Sequence, residues 1–249
     1  MMPDRLRRIP LAAALAAIGM LAVLSASPAG ASPCPAAAPD GPVVEARLPA
    51  GRPITIVALG SSSTEGAGAS GPEAAYPARL ESLLRSALPG QTVRVVNAGR
   101  SGQTSDEMLA RIESQVVPRR PALVIWQAGG NEALKGRSAE AFEAVMREGL
   151  RRLQMAGIPV VLMDNQRSPR LVAAGAERFD AVMAELARPH GIGLFRRGAW
   201  QARAPEPGAL VGPDGLHMND AGYACLAQAL AEAILPAVDQ APTAYAARR

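Results

Sequence analysis

Ile54-Thr55-Ile56-Val57-Ala58-Leu59-Gly60 runs directly into Ser61-Ser62-Ser63-Thr64-Glu65-Gly66. The first part is a short aliphatic and β-branched run with no alternation of polar and apolar positions, the pattern of a strand buried on both faces. A strand covered on both sides needs layers above and below it, which a parallel sheet with helices on each face supplies.

Working outward, residues 92–96, 122–126, 158–163 and 192–195 also read as strands. Amphipathic stretches at 77–88, 105–116, 139–155, 170–187 and 220–234 separate or follow them. In the last, Tyr223, Leu226, Leu230 and Ile234 share one helical face. The alternation predicts one doubly wound α/β/α domain over residues 54–238, with a five-stranded parallel sheet. Trp126 and Met163 are expected in its core, and Asp164 in the turn that leaves the fourth strand.

The flanks read differently. Arg5, Arg7 and Arg8 precede an apolar run at 11–24, and Ala29-Gly30-Ala31 is a small-x-small cleavage site, so residues 1–31 read as an export signal. The apolar run is shorter than the roughly 20 residues a bilayer requires, so no stable membrane span is expected after cleavage. Residues 32–53 are rich in Pro and Ala without periodicity and read as a tether, and 239–249 as a tail. The expected destination is periplasmic or extracellular. The two cysteines, Cys34 and Cys225, either pair in such a compartment or stand as separate thiols.

The net charge of +4 falls to +2 without the leader, and no Lys/Arg run is interleaved with aromatics, so no nucleic-acid partner is expected. Two histidines and two cysteines offer no metal-ligand spacing, and no cofactor is implied.

Doubly wound sheets bind ligands at the carboxyl ends of their strands. The loops there carry Gly60 to Gly66, then Asn97-Ala98-Gly99-Arg100-Ser101-Gly102, then Gly129-Gly130-Asn131-Glu132, while Asp214-Gly215-Leu216-His217 precedes the last helix. A serine hydroxyl attacks a carbonyl only when a neighbouring base takes its proton. His190 lies in a helix-to-strand connection at the far end of the sheet and reads as a surface residue. His217 follows Asp214 by three residues, a spacing at which the carboxylate reaches back to the far ring nitrogen and fixes the tautomer. The serine loop lacks the Gly-Lys-Ser/Thr of a nucleotide-binding turn. Local chemistry does not choose among Ser61, Ser62 and Ser63.

Taken in order, the four loops resemble the sequence blocks of the SGNH/GDSL hydrolase superfamily over residues 54–236. The resemblance implies a flavodoxin-like α/β/α fold and an esterase. It makes Ser62 the nucleophile, Asp214 and His217 its activating pair, and Ser62, Gly102 and Asn131 the oxyanion hole. Ser61 stands where the family carries aspartate beside the nucleophile, and Glu132 where it carries the aspartate of Asn-Asp. The run Gly129-Gly130-Asn131-Glu132-Ala133-Leu134-Lys135-Gly136 is similar to the bacterial thioesterase/arylesterase/lysophospholipase branch, which implies a small-molecule or polymer-linked acyl ester as substrate. An O-acyltransferase, or a deacetylase of carbohydrate or peptidoglycan, would use the same residues. A binding module that has lost turnover is the contrasting reading.

Overall fold

The computed structural model describes residues 32–35, 48 and 51–238, with His190 described by its backbone alone. The expected leader 1–31 and tail 239–249 lie outside the described residues, as do the side chain of His190 and most of the 32–53 arm.

From Ile54 the chain forms β1 (Ile54–Gly60), α1 (Ser62–Glu65), α2 (Tyr76–Ala87), β2 (Val93–Gly99) and α3 (Ser105–Leu109). It continues through β3 (Leu123–Gln127), α4 (Gly130–Leu134), α5 (Ala139–Met155), β4 (Val160–Met163), α6 (Pro169–Ala173) and α7 (Glu177–Ala187). It closes with β5 (Gly193–Phe195), α8 (Arg197–Gln201) and α9 (Asp220–Ile234). The strands are all parallel and ordered β2-β1-β3-β4-β5. β2 lies on one side of β1 and the later strands on the other, so the winding reverses between β1 and β3. A crevice opens at the carboxyl ends of those two strands, where doubly wound folds place their ligands.

The absence of alternation in β1 has a direct cause in the two cores. Ile54, Ile56 and Ala58 pack with Leu80 and Leu84 of α2 and Leu226 and Leu230 of α9. Val57 and Leu59 face the opposite way, toward Trp126, Met146 of α5 and Phe179 of α7. Both faces of the strand therefore need apolar side chains. Trp126 and Met163 are fully buried, and the Trp126 indole N–H points to the Met108 sulfur at 3.4 Å.

Two expected helices are divided. Residues 170–187 split into α6 and α7 because Gly175 adopts φ +66°, a left-handed turn that ends the first segment. Residues 105–116 are α-helical only to Leu109 and continue as a π-helical turn, Ile112–Val116. Between them the buried Arg111 guanidinium donates through Nη2 to the carbonyls of Ala98 (2.7 Å) and Gly60 (3.2 Å). It thereby ties together the ends of β2 and β1. Strand β2 runs on to Gly99, past the expected end at 96, because Asn97 to Gly99 pair with Ala58 to Gly60.

The 32–53 arm, expected as a tether, is fastened at its described points. Cys34 is disulfide-bonded to Cys225 of α9, with Cα atoms 5.1 Å apart. Leu48 is buried, and its N–H donates to Ala237 O at 2.7 Å. The disulfide is the paired one of the two arrangements open to Cys34 and Cys225, whereas composition alone reads the Pro/Ala-rich arm as loose chain and does not reveal the Leu48 anchor. Among the described residues, no helix is long and apolar enough to cross a membrane.

Candidate active site

Gly60 closes β1, Ser61 leads into the single turn of α1, and Ser62 is its first residue. The three neighbouring hydroxyls go to three different partners. Ser61 is buried, and its N–H and O–H both donate to Gln127 Oε1 at 3.0 Å. Ser63 is also buried and meets the Gln166 amide. Ser62 Oγ lies 2.8 Å from His217 Nε2. Of the three serines, Ser62 is the one set against an imidazole.

His217 sits at the end of a tight loop in which the Gly212 N–H donates to His217 O (2.7 Å) and the Gly215 N–H to Gly212 O (3.1 Å). Asp214 organises this loop from within. Its Oδ1 accepts the N–H groups of Leu216 (2.9 Å) and His217 (3.0 Å), and its Oδ2 faces His217 Nδ1 at 2.5 Å. Partial burial pushes the Asp214 carboxyl upward. The two backbone N–H groups and the imidazole outweigh that and hold it at about 2. An ionised Asp214 makes Nδ1 the protonated nitrogen and leaves Nε2 as the acceptor facing Ser62. Asn219 then caps α9, accepting the Gly222 N–H at 2.9 Å.

On the other side of Ser62, α4 faces the loop that follows β2. Asn131 Nδ2 donates to Gln103 O (2.8 Å) and Lys135 Nζ to Gly102 O (2.8 Å). Gly102 has φ +77°, a conformation in which a side chain is strained. Ser101 gives its N–H to the Glu65 carboxylate at 2.8 Å and its hydroxyl to the same oxygen. Glu132 is buried and accepts the N–H groups of Ser105 and, at 3.0 Å, of Gly129. The longer acid at position 132 thus bridges the second and third loops.

A shallow cleft is lined by Ser62, Asn131 and His217, with Leu134, Leu171 and Leu216 as its apolar wall. Asp214 stands behind His217. The structure brings these expected residues together, while Gly102 falls outside the cleft lining. Asp164 is turned away, its Oδ1 accepting the Gly198 N–H of α8 at 3.0 Å.

Three residues outside any sequence motif hold the nucleophile turn: Gln127 at Ser61, Gln166 at Ser63 and Arg111 at the Gly60 carbonyl. Gln127 did leave a trace, as a polar residue ending the otherwise apolar run Leu123–Gln127. Gln166 lies in Asp164-Asn165-Gln166-Arg167, four polar residues at the end of β4, a composition that equally describes an exposed loop.

Comparison with known proteins agrees with this architecture. A family model described as the non-GDSL lipase-like family matches residues 31–240. Thioesterase 1/protease 1/lysophospholipase L1 of Escherichia coli strain K12 is 30% identical over 141 residues, which are 57% of this chain and 65% of that protein. Esterase TesA of Pseudomonas aeruginosa is 32% identical over 105 residues, 41% of this chain and 52% of that protein. The chain thus spans under two thirds of the length of these relatives. Among solved structures, a lipase/acylhydrolase from Enterococcus faecalis superposes with a TM-score of 0.66 at 20% identity, over 76% of this chain and all of that one. The match of the family model over nearly the whole described domain settles the relationship: this chain belongs to the non-GDSL lipase-like family.

Proposed function

We propose that the protein is an exported serine esterase that cleaves carboxylic esters or thioesters through an acyl-enzyme on Ser62. The observation that carries this reading is the continuous chain from Ser62 Oγ to His217 Nε2 (2.8 Å) and from His217 Nδ1 to Asp214 Oδ2 (2.5 Å). His217 takes the hydroxyl proton as Ser62 Oγ attacks the acyl carbon, and Asp214 stabilises the imidazolium that results. The imidazolium returns the proton to the departing alcohol or thiol. A water activated by the same nitrogen then releases the acid and regenerates Ser62.

The negative oxygen formed in each addition is stabilised by the Ser62 N–H and the Asn131 amide, and the family resemblance adds the N–H of Gly102, which lies outside the cleft lining, as the third donor. Asn131 Nδ2 carries two hydrogens and spends one on Gln103 O, which leaves the second for the oxyanion. The disulfide between Cys34 and Cys225 supports export, because such bonds persist in oxidising compartments.

Fluorophosphonate labelling, combined with a series of p-nitrophenyl esters of rising chain length, tests the reading. Wild-type and Ser61→Ala protein should label and turn over short esters, whereas Ser62→Ala should do neither. Turnover surviving in Ser62→Ala overturns it.

A further inference from the structure

Ser62 and His217 belong to separate loops, and their 2.8 Å contact requires something to hold those loops at one spacing. Gln166 touches both. Its Nε2 donates to Leu216 O at 2.8 Å, and the Ser63 hydroxyl lies 3.2 Å from Nε2 and 3.3 Å from Oε1. Leu216 immediately precedes His217, and Ser63 immediately follows Ser62. A carbonyl only accepts, so the Gln166 nitrogen must face Leu216, while the Ser63 hydroxyl, within reach of both amide atoms, either donates to Oε1 or accepts the second Nε2 hydrogen.

The base of this side chain is itself fixed. On one flank Asn165 gives its N–H (3.1 Å) and Nδ2 (2.7 Å) to the Asp180 carboxylate of α7. On the other, the Arg167 N–H donates to Gln201 Oε1 of α8 at 2.9 Å, and Arg167 O accepts from Gln201 Nε2 at 3.1 Å. Gln166 is 2% exposed, so water competes little for its hydrogen bonds. The side chain is a short strut standing on a segment pinned to two helices.

We infer that Gln166 is a positioning residue that sets the Ser62–His217 distance, bracketing the nucleophile turn on one side and the histidine loop on the other. The inference rests on the Ser62 acyl-enzyme reading. Gln166 takes no part in bond making. Removing it leaves the Leu216 carbonyl without this donor and lets the two loops drift, and misplacements near 1 Å cost on the order of 100-fold in rate.

The test compares Gln166→Leu, Ser63→Ala and the double variant with wild type. The measurements are kcat and KM on p-nitrophenyl acetate and the rate of fluorophosphonate labelling. In Gln166→Leu, kcat and labelling rate should fall together by about 30- to 100-fold with KM within about twofold, because the loss lies in nucleophile alignment rather than ester binding. Ser63→Ala removes one contact and should lose less. The double variant should be no slower than Gln166→Leu, because both changes break the same bracket.

A folded Gln166→Leu protein that labels at the wild-type rate overturns the inference, as does a double variant whose losses multiply. Should Gln166→Leu fail to fold, Ser63→Ala decides the matter: a wild-type labelling rate there is equally contrary. Absence of labelling in the wild type instead removes the Ser62 reading itself, and is distinguished in that way.

Discussion

Asp214 and His217 meet twice: Oδ1 accepts the His217 backbone N–H at 3.0 Å while Oδ2 faces the ring Nδ1 at 2.5 Å. One carboxylate therefore fixes both the position of the loop and the tautomer of the ring. The Asp214 side chain is 42% exposed, so its contribution concerns orientation more than burial.

Asp214→Asn separates these two tasks. Its Oδ1 still accepts the Leu216 and His217 N–H groups, while the amide opposite Nδ1 no longer secures the protonated tautomer. We expect a loss in kcat of roughly 10³- to 10⁴-fold, with the fold retained. Steady-state kinetics beside a thermal melt check this. Because Asp214 ionises at about 2 when folded, below its ordinary value near 3.9, its contribution to stability is complete above pH about 4. That contribution is lost between about 4 and 2, so Asp214 plays no part in the pH–rate profile above pH 4.

Asn131→Ala removes the amide from one side of the cleft and releases Gln103 O, its partner at 2.8 Å. Loss of one oxyanion donor costs about 10²- to 10³-fold in kcat. KM should change little, since the charge develops only in the transition state. Turnover equal to wild type would remove Asn131 from the oxyanion hole.

Asp164 titrates in the opposite sense from Asp214. Burial raises it first and the Asp180 carboxylate adds to this, against the Gly198 N–H and Arg197, bringing it to about 7. A carboxyl raised by folding contributes stability that is whole below its unfolded value near 3.9 and is lost as pH rises through about 7. In Asp164→Asn, whose Oδ1 can still accept the Gly198 N–H, that dependence disappears. The Tm of the variant minus that of wild type should grow between pH 4 and 7 and level off above. A difference that stays flat across this range contradicts the assignment.

The bond between Cys34 and Cys225 closes a loop with a sequence separation of 191 residues. Loop entropy makes such a closure worth about 2–5 kcal/mol. Cys34→Ser, or reduction by dithiothreitol, should lower the guanidinium midpoint accordingly. Activity at 25 °C should persist, because neither cysteine lines the cleft that holds Ser62. Equal midpoints with and without reductant would show that the bridge adds no stability.

Most of the architecture is legible in the amino-acid sequence. The apolar run at Ile54–Leu59, with further strand-like runs between helical stretches, specified a parallel sheet because both faces of its central strands must bury side chains, whereas the edge strand β2 exposes Arg94 and Asn97. Helix continuity was less readable. Arg111 interrupts the stretch after Ser105 because its guanidinium satisfies the Gly60 and Ala98 carbonyls, a tertiary demand without local periodicity. The arm before Ile54 reads as loose chain, since one buried leucine leaves no pattern in a Pro/Ala-rich segment, and sequence offers the Cys34–Cys225 pairing without the spatial proximity that decides it.

At the site, the chain by itself determined the chemistry on offer: serines at a strand end, a carboxylate three residues before a histidine, and an asparagine after two glycines. Local sequence did not choose among Ser61, Ser62 and Ser63, which share one side chain and one neighbourhood. Tertiary structure separates them by giving each hydroxyl a different partner, Gln127 for Ser61, His217 for Ser62 and Gln166 for Ser63. Those partners arrive from β3, from the loop before α9 and from the segment after β4. A hydroxyl's reactivity depends on what stands within 3 Å of it, and for Ser62 that neighbour lies 155 positions away along the chain.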